Sequence, residues 1–135
     1  MARRRSSFGF MGRFGRSGDL RQLDAALHAL DLHPALVPEG VKLTIVNRMK
    51  EHGEEEPPPH AYPFTAAMVA YCALGRDVFE AANGAGPGLA VEARIEAALT
   101  AGEGFDAEMI LLAMHAGLIE PGVVERFGLT AESDD

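Results

Sequence analysis

Apolar residues recur at helical spacing in the segment that follows Asp19. There the leucines fall three or four residues apart, which places their side chains on one face of an α-helix. Asp19 and Gln22 have the form of a capping pair, so we expect the first helix to begin at Asp19. The leucines on the predicted inner face are Leu20, Leu23, Leu27 and Leu30.

The same spacing predicts further helices, which proline and glycine separate. A second helix is expected in residues 39–53, between Pro38 and Gly53, although the β-branched run at residues 43–46 also favours a short strand. Gly75 divides the next apolar segment into one kinked helix or two short ones. The remaining predicted segments are 64–74, 76–83, 89–102, 106–117 with Asp106 as its cap, and 121–127.

Two segments interrupt this helical pattern. Residues 54–63, "EEEPPPHAYP", contain consecutive prolines, which remove backbone donors and favour an extended connection. Residues 84–88, "GAGPG", follow a helix and lack the GK[ST] sequel of a phosphate-binding loop, so we expect them to close the preceding helix.

Together these patterns predict an all-α fold, a compact bundle of about six or seven short helices with an irregular N-terminal arm. The predicted division has a basic Gly/Arg/Phe-rich arm at residues 1–18 and a single helical domain at residues 19–130. The Pro-rich connection at 54–63 lies inside that domain, and residues 131–135 form an acidic tail.

The arm differs from the rest of the chain in composition and charge. Glycine at every third position from Gly9 to Gly18 makes regular structure costly, at about 1 kcal/mol per interior glycine relative to alanine. Six arginines and one aspartate give residues 1–21 a net charge of +5, and the whole chain carries −8, so the remaining residues carry −13. The chain is therefore a basic aromatic arm on an acidic body.

Arginine and phenylalanine in the arm predict a contact surface for a protein partner, which includes another copy of the acidic body. Nucleic acid is possible through the arm only, because the charge of −13 on the body disfavours adsorption to other polyanions. An arm that contributes only solubility is the alternative. The predicted partner-binding residues are Arg3, Arg4, Arg5, Phe8, Phe10, Arg13, Phe14 and Arg16.

The sequence contains no motif that identifies a catalytic centre, so we assign no catalytic residue, no metal and no cofactor. Cys72 lies in an apolar segment where we expect a buried, unreactive thiol, and no serine stands in a GxSxG elbow. The alternative is a metal-binding protein or metal-dependent enzyme that uses histidine and carboxylate clusters. Its candidate ligands are Asp24, His28, His52 and His60, whereas we expect His33 and His115 to cap helix C-termini.

Composition indicates a cytoplasmic and bacterial protein. The single cysteine cannot form an intramolecular disulfide, and no apolar run approaches the roughly 20 residues that span a bilayer. The basic start of the chain lacks the apolar region of a secretion signal. Lys42 and Lys50 are the only lysines among many arginines, a bias that GC-rich coding produces.

Two segments of the chain resemble each other. Residues 32–41, "LHPALVPEGV", and residues 114–123, "MHAGLIEPGV", share histidine, leucine, glycine and valine at the same offsets. The similarity indicates either an internal duplication or two helix junctions built alike.

Overall fold

The computed structural model describes residues 18–53 and 57–129. Within these ranges the chain forms seven α-helices, one 3₁₀ turn and no β-strand, which confirms the predicted all-α bundle. In chain order the elements are α1 (Gly18–Ala29), the 3₁₀ turn Pro34–Leu36, α2 (Glu39–His52), α3 (Ala61–Leu74), α4 (Arg76–Asn83), α5 (Ala85–Ala101), α6 (Phe105–His115) and α7 (Pro121–Phe127).

Helix α3 is the centre of the bundle. It packs against α1, α4, α5 and α6, and it buries side chains around most of its circumference, as a helix in the middle of a core does. Tyr62 and Tyr71 at its two ends are 2% and 0% exposed, so both phenol rings belong to the core. The other buried residues of α3 are Thr65, Ala66, Met68, Val69, Ala70 and Cys72.

Polar bonds between elements tie the helix ends to the bundle. The carbonyl of Cys72, in the last turn of α3, has no partner within its helix and accepts from the Glu120 N–H at 2.7 Å. The Asn83 amide at the end of α4 donates to the carbonyl of Leu30 at 2.9 Å. These bonds satisfy backbone groups that a helix terminus leaves open, and they fix α4 and α7 on α3 and α1.

Gly75 makes the sharp turn between α3 and α4. Its φ of 89° lies in the left-handed region that favours glycine, and a Cβ there would meet the Glu120 side chain at 2.9 Å. The predicted division at Gly75 therefore produces two helices and not one kinked helix.

The predicted helix between Pro38 and Gly53 is confirmed as α2, and the β-branched run at residues 43–46 is helical within it, with Ile45 and Val46 buried in the core. Two predicted boundaries differ from the structure. Helix α3 begins at Ala61, earlier than residue 64, since Pro63 lies in the first turn where no backbone donor is needed. Gly84, the first residue of "GAGPG", caps the C-terminal end of α4 as predicted, but α5 begins at Ala85, earlier than residue 89, and Pro87 lies in its first turn.

Three predicted caps are wrong. Asp19 is the second residue of α1, and its carboxylate contacts side chains of other helices. Gly104 occupies the N-cap of α6 without a side-chain bond, while Asp106 pairs with Arg94. His33 caps the start of the 3₁₀ turn, where its ring nitrogen accepts from the Ala35 N–H at 3.1 Å.

The two similar segments share a helix start but not the path that leads to it. α2 begins at Glu39 and α7 at Pro121, which are matching positions, and the preceding residues Pro38 and Glu120 have nearly the same backbone angles. Before that point one segment forms the 3₁₀ turn, whereas the other contains the last residues of α6. The common residues therefore mark a common way of opening a helix.

Candidate functional site

The predicted partner-binding residues of the arm, from Arg3 to Arg16, lie outside the described residues. The structure does show where the arm joins the body. The Asp19 carboxylate accepts from the Tyr62 hydroxyl at 2.8 Å and pairs with the Lys50 ammonium at 3.0 Å. Because these partners belong to α3 and α2, the first turn of α1 is held at one place on the bundle.

The environment of Asp19 favours its charged form. Partial burial raises the pKa of the carboxyl, but the hydrogen bonds from Tyr62 and Lys50 and the positive charge of Lys50 outweigh burial. The net result is a pKa below the ordinary value of 3.8. The start of α1 is thus held by the ionised Asp19 carboxylate, which accepts from the neutral Tyr62 hydroxyl and pairs with the charged Lys50 ammonium.

An apolar pocket of about 310 Å³ lies between the end of α2 and the starts of α3 and α6. Lys50 and Tyr62, which bond Asp19, belong to the same ends of α2 and α3 and follow Met49 and Ala61 of the pocket wall in sequence. We call this cavity the arm-side pocket. It is lined by Met49, His52, Gly53, Pro57, Pro58, Ala61, Phe64, Thr65 and Phe105.

Phe64 forms a half-exposed wall of the arm-side pocket, and its ring is in contact with Arg94. The Arg94 guanidinium lies over its ring at 3.6 Å from the centroid, while the ring remains 51% exposed. Arg94 is itself fixed by two bonds to Asp106, at 2.7 and 3.1 Å, and by the Phe64 carbonyl at 2.9 Å. The exposed part of the ring therefore offers an ordered aromatic surface.

His52 forms the opposite rim of the arm-side pocket. Its ring contacts Phe105 edge-on, with centroids 5.5 Å apart, and its Nε2 lies 3.0 Å from a Glu108 oxygen. The Arg48 guanidinium bridges Glu51 at 2.9 Å and Glu108 at 4.0 Å. The polar rim is thus already paired, and the interior of the pocket is apolar.

The four candidate metal ligands do not come together in the described part of the chain. Asp24 pairs at 2.9 Å with Lys42, which is only 4% exposed and also donates to the Pro34 carbonyl. His28 lies on α1 and His60 directly precedes α3, and both side chains are exposed. Among residues 18–53 and 57–129, no three His, Cys, Asp or Glu side chains gather as a metal site would require.

A second cavity, of about 400 Å³, is lined by both polar and apolar side chains and lies between α3, α4 and α7. Beside it, the Glu92 carboxylate is 6% exposed and accepts from the Tyr71 hydroxyl at 2.5 Å. The guanidinium groups of Arg76 and Arg126 approach the two oxygens of Glu92 at 3.6 and 3.5 Å. We call this arrangement the Glu92 cleft.

Burial and the Glu92 contact keep the Tyr71 phenol protonated. Burial, the hydrogen bond to Glu92 and the charge of Glu92 raise the pKa of Tyr71 well above its usual value of 10.0. The ion-pair network extends beyond Glu92, because the Arg76 guanidinium also lies 3.7 Å from the Glu80 carboxylate. Since the buried carboxylate is bonded to donors of its own chain, the Glu92 cleft has the character of a structural ion-pair network.

Cys72 is buried, as its apolar surroundings predict. Its side chain is 1% exposed, and burial raises the pKa of the thiol to about 12. A protonated, enclosed thiol is a poor nucleophile, so Cys72 serves as a core residue.

A third cavity, of about 280 Å³, is also apolar and lies between α5, α6 and the end of α7. Leu99 and Leu111 at its edge are 45% and 51% exposed. We call it the α5–α6 groove. It contains Met114 but no aromatic side chain, which distinguishes it from the arm-side pocket.

The amino-acid sequence did not predict the arm-side pocket or the Glu92 cleft. The aromatic and proline residues at 57–64 were a signal for the pocket, but helical spacing alone does not show that Phe64 faces outward. No protein-family model matches the chain, and neither a curated protein nor a solved structure is significantly similar to it. None of the helices in the described part of the chain has the length and apolar composition to cross a membrane.

Proposed function

We propose that this protein is a helical interaction or regulatory protein that binds a protein partner partly through its basic aromatic arm, residues 1–18. The observation that carries the proposal is the position of Asp19. Asp19, at the start of α1, is bonded to the ends of α2 and α3 that also line an apolar pocket with a half-exposed Phe64 ring. We include this pocket, with the arginines and phenylalanines of the arm, in the proposed contact surface.

The charge distribution supports a protein as the partner. The arm carries positive charge on a body whose remaining residues sum to −13. A long polyanion bound by the arm would be repelled by the body, whereas a protein with a local acidic patch would not. A second copy of this chain belongs to the same class of partner.

Aromatic residues support a specific contact. Binding energy at protein interfaces concentrates in a few aromatic and arginine side chains, and the arm holds three phenylalanines among its arginines. The pocket adds Phe64 and Phe105, with polar groups confined to its rim. This is the composition of an interface core with a polar border.

The proposal includes a bacterial cytoplasm as the setting and assigns no catalytic residue. Its support is the single cysteine, which is buried and protonated in the bundle, and the excess of arginine over lysine.

A capture experiment tests this function. Full-length protein and a variant lacking residues 1–16 are used as bait in nuclease-treated lysate of the native organism, with a variant carrying serine at all three arm phenylalanines beside them. We expect one protein that only the full-length bait retains. Identical retained proteins for all baits would contradict the proposal, and nuclease-sensitive nucleic acid would assign the arm to nucleic-acid binding instead.

Kinetics then separate the two kinds of contact. Replacing Arg3, Arg4, Arg5, Arg13 and Arg16 by serine should slow association and flatten its dependence on salt, which screens charges over about 8 Å at 0.15 M. Replacing Phe8, Phe10 and Phe14 by serine should mainly speed dissociation. Equal effects of both variants on both rates would contradict this division.

A further inference from the structure

The α5–α6 groove differs from the other two named cavities in the charges at its border. Charged groups at the Glu92 cleft and at the rim of the arm-side pocket are paired within the chain. In the described part of the chain, exposed carboxylates beside the α5–α6 groove have no cation as a partner. The groove therefore combines an apolar interior with charge that a ligand can meet.

We propose that the α5–α6 groove binds an amphipathic helix of a partner protein, with the apolar face of that helix in the groove and lysine or arginine along its flanks. The inference goes beyond the proposed function, because it uses neither the arm nor the arm-side pocket. The two surfaces have opposite electrostatic character, since the arm is basic and the border of the groove is acidic.

The groove has a shape that accepts a helix. Only Gly102, Glu103 and Gly104 connect α5 to α6, so the two helices pack as neighbours in a helical hairpin. Gly128 and Leu129, which follow α7, complete the wall. A third helix packs on such a pair when a ridge of its side chains enters the furrow between them. The cavity of about 280 Å³ exceeds the roughly 150 Å³ that holds a benzene molecule, so it has room for an aliphatic side chain.

Two leucines border the groove and remain partly in water. Leu99 of α5 and Leu111 of α6 are 45% and 51% exposed, and both line the cavity. Leu111 also lines a smaller cavity of about 180 Å³ on the α2 side of α6, so its side chain forms a ridge between two hollows. A helix in the groove would cover both leucines, and each Å² of apolar surface that it removes from water contributes about 25 cal/mol.

The border of the groove is acidic. Three exposed glutamates lie one residue or one helical turn from a residue that lines the cavity, namely Glu96, Glu103 and Glu125. The other two carboxylates of α6 differ from these, because Asp106 pairs with Arg94, and Glu108 lies 3.0 Å from the His52 ring. The three glutamates therefore supply the unpaired negative charge of this face.

This charge determines the class of the occupant. Six acidic residues and one arginine give residues 95–129 a net charge of −5, and that arginine, Arg126, pairs with Glu92. A basic flank on the docked helix would meet the three glutamates, whereas an acidic helix, an anionic membrane or a nucleic acid would be repelled. A second copy has the same excess of acidic residues in its body, so repulsion opposes it as well.

A synthetic helix tests the groove, with full-length protein throughout. The probe is a fluorescently labelled peptide of leucine and lysine, about five helical turns long, with leucine at positions i, i+3, i+4 and i+7. One control peptide has the same residues reordered so that the leucines share no face, and a second has glutamate in place of lysine. We expect fluorescence anisotropy to show that the probe binds about tenfold more tightly than either control, or more. Absence of binding, or equal binding of a control, would overturn the proposal.

Matched leucine variants locate the bound probe. Leu99→Ser combined with Leu111→Ser should weaken binding about tenfold, because the probe loses its apolar contact with both borders of the groove. Leu36→Ser combined with Leu89→Ser, at two exposed leucines that do not line the groove, is the control and should leave the affinity unchanged. Equal losses in the two variants would overturn the proposal. Circular dichroism checks that each variant is folded.

Matched charge variants test the acidic border. The groove variant carries three substitutions, Glu96→Gln, Glu103→Gln and Glu125→Gln. It should bind the probe several-fold more weakly and with a flatter dependence on salt, which screens charges over about 8 Å at 0.15 M. The control removes three charges at exposed residues of other elements, Asp31→Asn, Glu39→Gln and Asp77→Asn, and should retain most of the affinity. An equal loss in the control would mean that the probe is attracted to the acidic body in general, which would overturn the proposal.

Photocrosslinking gives a readout without altering the groove. A benzophenone amino acid in place of a central leucine of the probe reacts readily with methionine, and Met114 lines the α5–α6 groove while Met49 lines the arm-side pocket. We expect the crosslink in the fragment that contains Met114. A crosslink to Met49, or none, would overturn the proposal.

Sedimentation velocity of the protein alone tests a second copy as the occupant. We expect its sedimentation coefficient to be the same for the wild type and Leu111→Ser at every concentration. Self-association that Leu111→Ser abolishes would assign the groove to a second copy and overturn the proposal.

Discussion

The Glu92 cleft and the arm-side pocket are cavities of similar size, about 400 and 310 Å³. They differ in how completely contacts within the chain bury and pair their principal side chains. In the cleft the buried carboxylate accepts from the Tyr71 hydroxyl and forms ion pairs with two guanidinium groups of the same chain, at 3.6 and 3.5 Å. In the pocket an aromatic ring is held in place by Arg94 yet remains 51% exposed.

The difference follows from the cost of burying each kind of group. A buried charge without partners costs several kcal/mol, so the fold has to supply the donors itself, and little remains for a ligand to gain. An exposed ring costs far less, and it releases about 25 cal/mol per Å² when a partner covers it. The cleft is therefore expected to stabilise the fold, and the pocket to bind.

Removing the Glu92 carboxylate should give the largest effect. Glu92→Ala leaves the buried Tyr71 hydroxyl without its acceptor, so we expect a loss of up to about 3 kcal/mol in the free energy of unfolding, whereas the Arg76 and Arg126 side chains, 47% and 44% exposed, regain water. Urea denaturation measures it. Glu96→Ala, at an exposed residue of the same helix, is the control and should change stability by less than about 0.5 kcal/mol.

A loss as small as that of the control would mean that the Glu92 network does not stabilise the bundle. Binding of a ligand would then be the better explanation for the charged groups in the Glu92 cleft.

Removing only the Tyr71 hydroxyl should have a smaller effect that depends on pH. At neutral pH, Tyr71→Phe deletes a buried bond to a carboxylate and should cost about 2 kcal/mol. The raised pKa of Tyr71 means that the unfolded chain loses the phenol proton first as pH rises past 10.0. The hydroxyl's contribution is thus complete below pH 10.0 and declines above it.

Alkaline denaturation of the two proteins measures this decline. The stability difference between them should narrow above pH 10.0. A difference that stays constant or widens there would show that Tyr71 is not held in its protonated form by burial and Glu92.

The contrast between the two cavities also explains what the sequence could predict. Helix positions follow from spacing and from glycine and proline, as at Gly75 and Pro121, because these are local properties of the chain. The predicted caps at Asp19 and Asp106 fail for a nonlocal reason. Each carboxylate finds a cation or hydroxyl on another helix, and these bonds compete with capping the residue's own helix.

The pocket and the cleft depend on such nonlocal contacts. Glu92 and Arg126 are distant in sequence, and nothing in their local pattern indicates that they meet. Likewise, Phe64 follows the apolar spacing of α3, yet Arg94 and Asp106 from α5 and α6 determine that its ring is held at the surface. The binding role of the arm is proposed from its composition of arginine and phenylalanine, and composition can be seen in the sequence alone.

Asp19→Asn tests the contacts that hold the start of α1 on α2 and α3, and it should lower the free energy of unfolding only modestly. The ion pair with Lys50 is partly exposed, so its loss should cost no more than about 1 kcal/mol at neutral pH. The pKa of Asp19 is lowered in the folded state, so its charge stabilises the fold above pH 3.8, and the contribution is lost as pH falls further, through the folded-state pKa.

Acid unfolding of the wild type and Asp19→Asn measures this contribution. The two curves should converge below pH 3.8. Asp77→Asn, at an exposed residue of α4, serves as the control and should follow the wild type throughout. Curves for Asp19→Asn that stay apart at low pH would assign its effect to something other than the carboxylate charge.

Phe64→Ser should produce the smallest change in stability, because about half of the ring is already in water. We expect a loss of less than about 1 kcal/mol, measured by urea denaturation, since only the buried half of the ring loses apolar contact. Leu111→Ser removes an equally exposed apolar side chain and should match it. If Phe64→Ser instead destabilised the fold as much as Glu92→Ala, the pocket would be part of the core, because an exposed binding surface contributes little to folding and its substitution changes mainly what binds there.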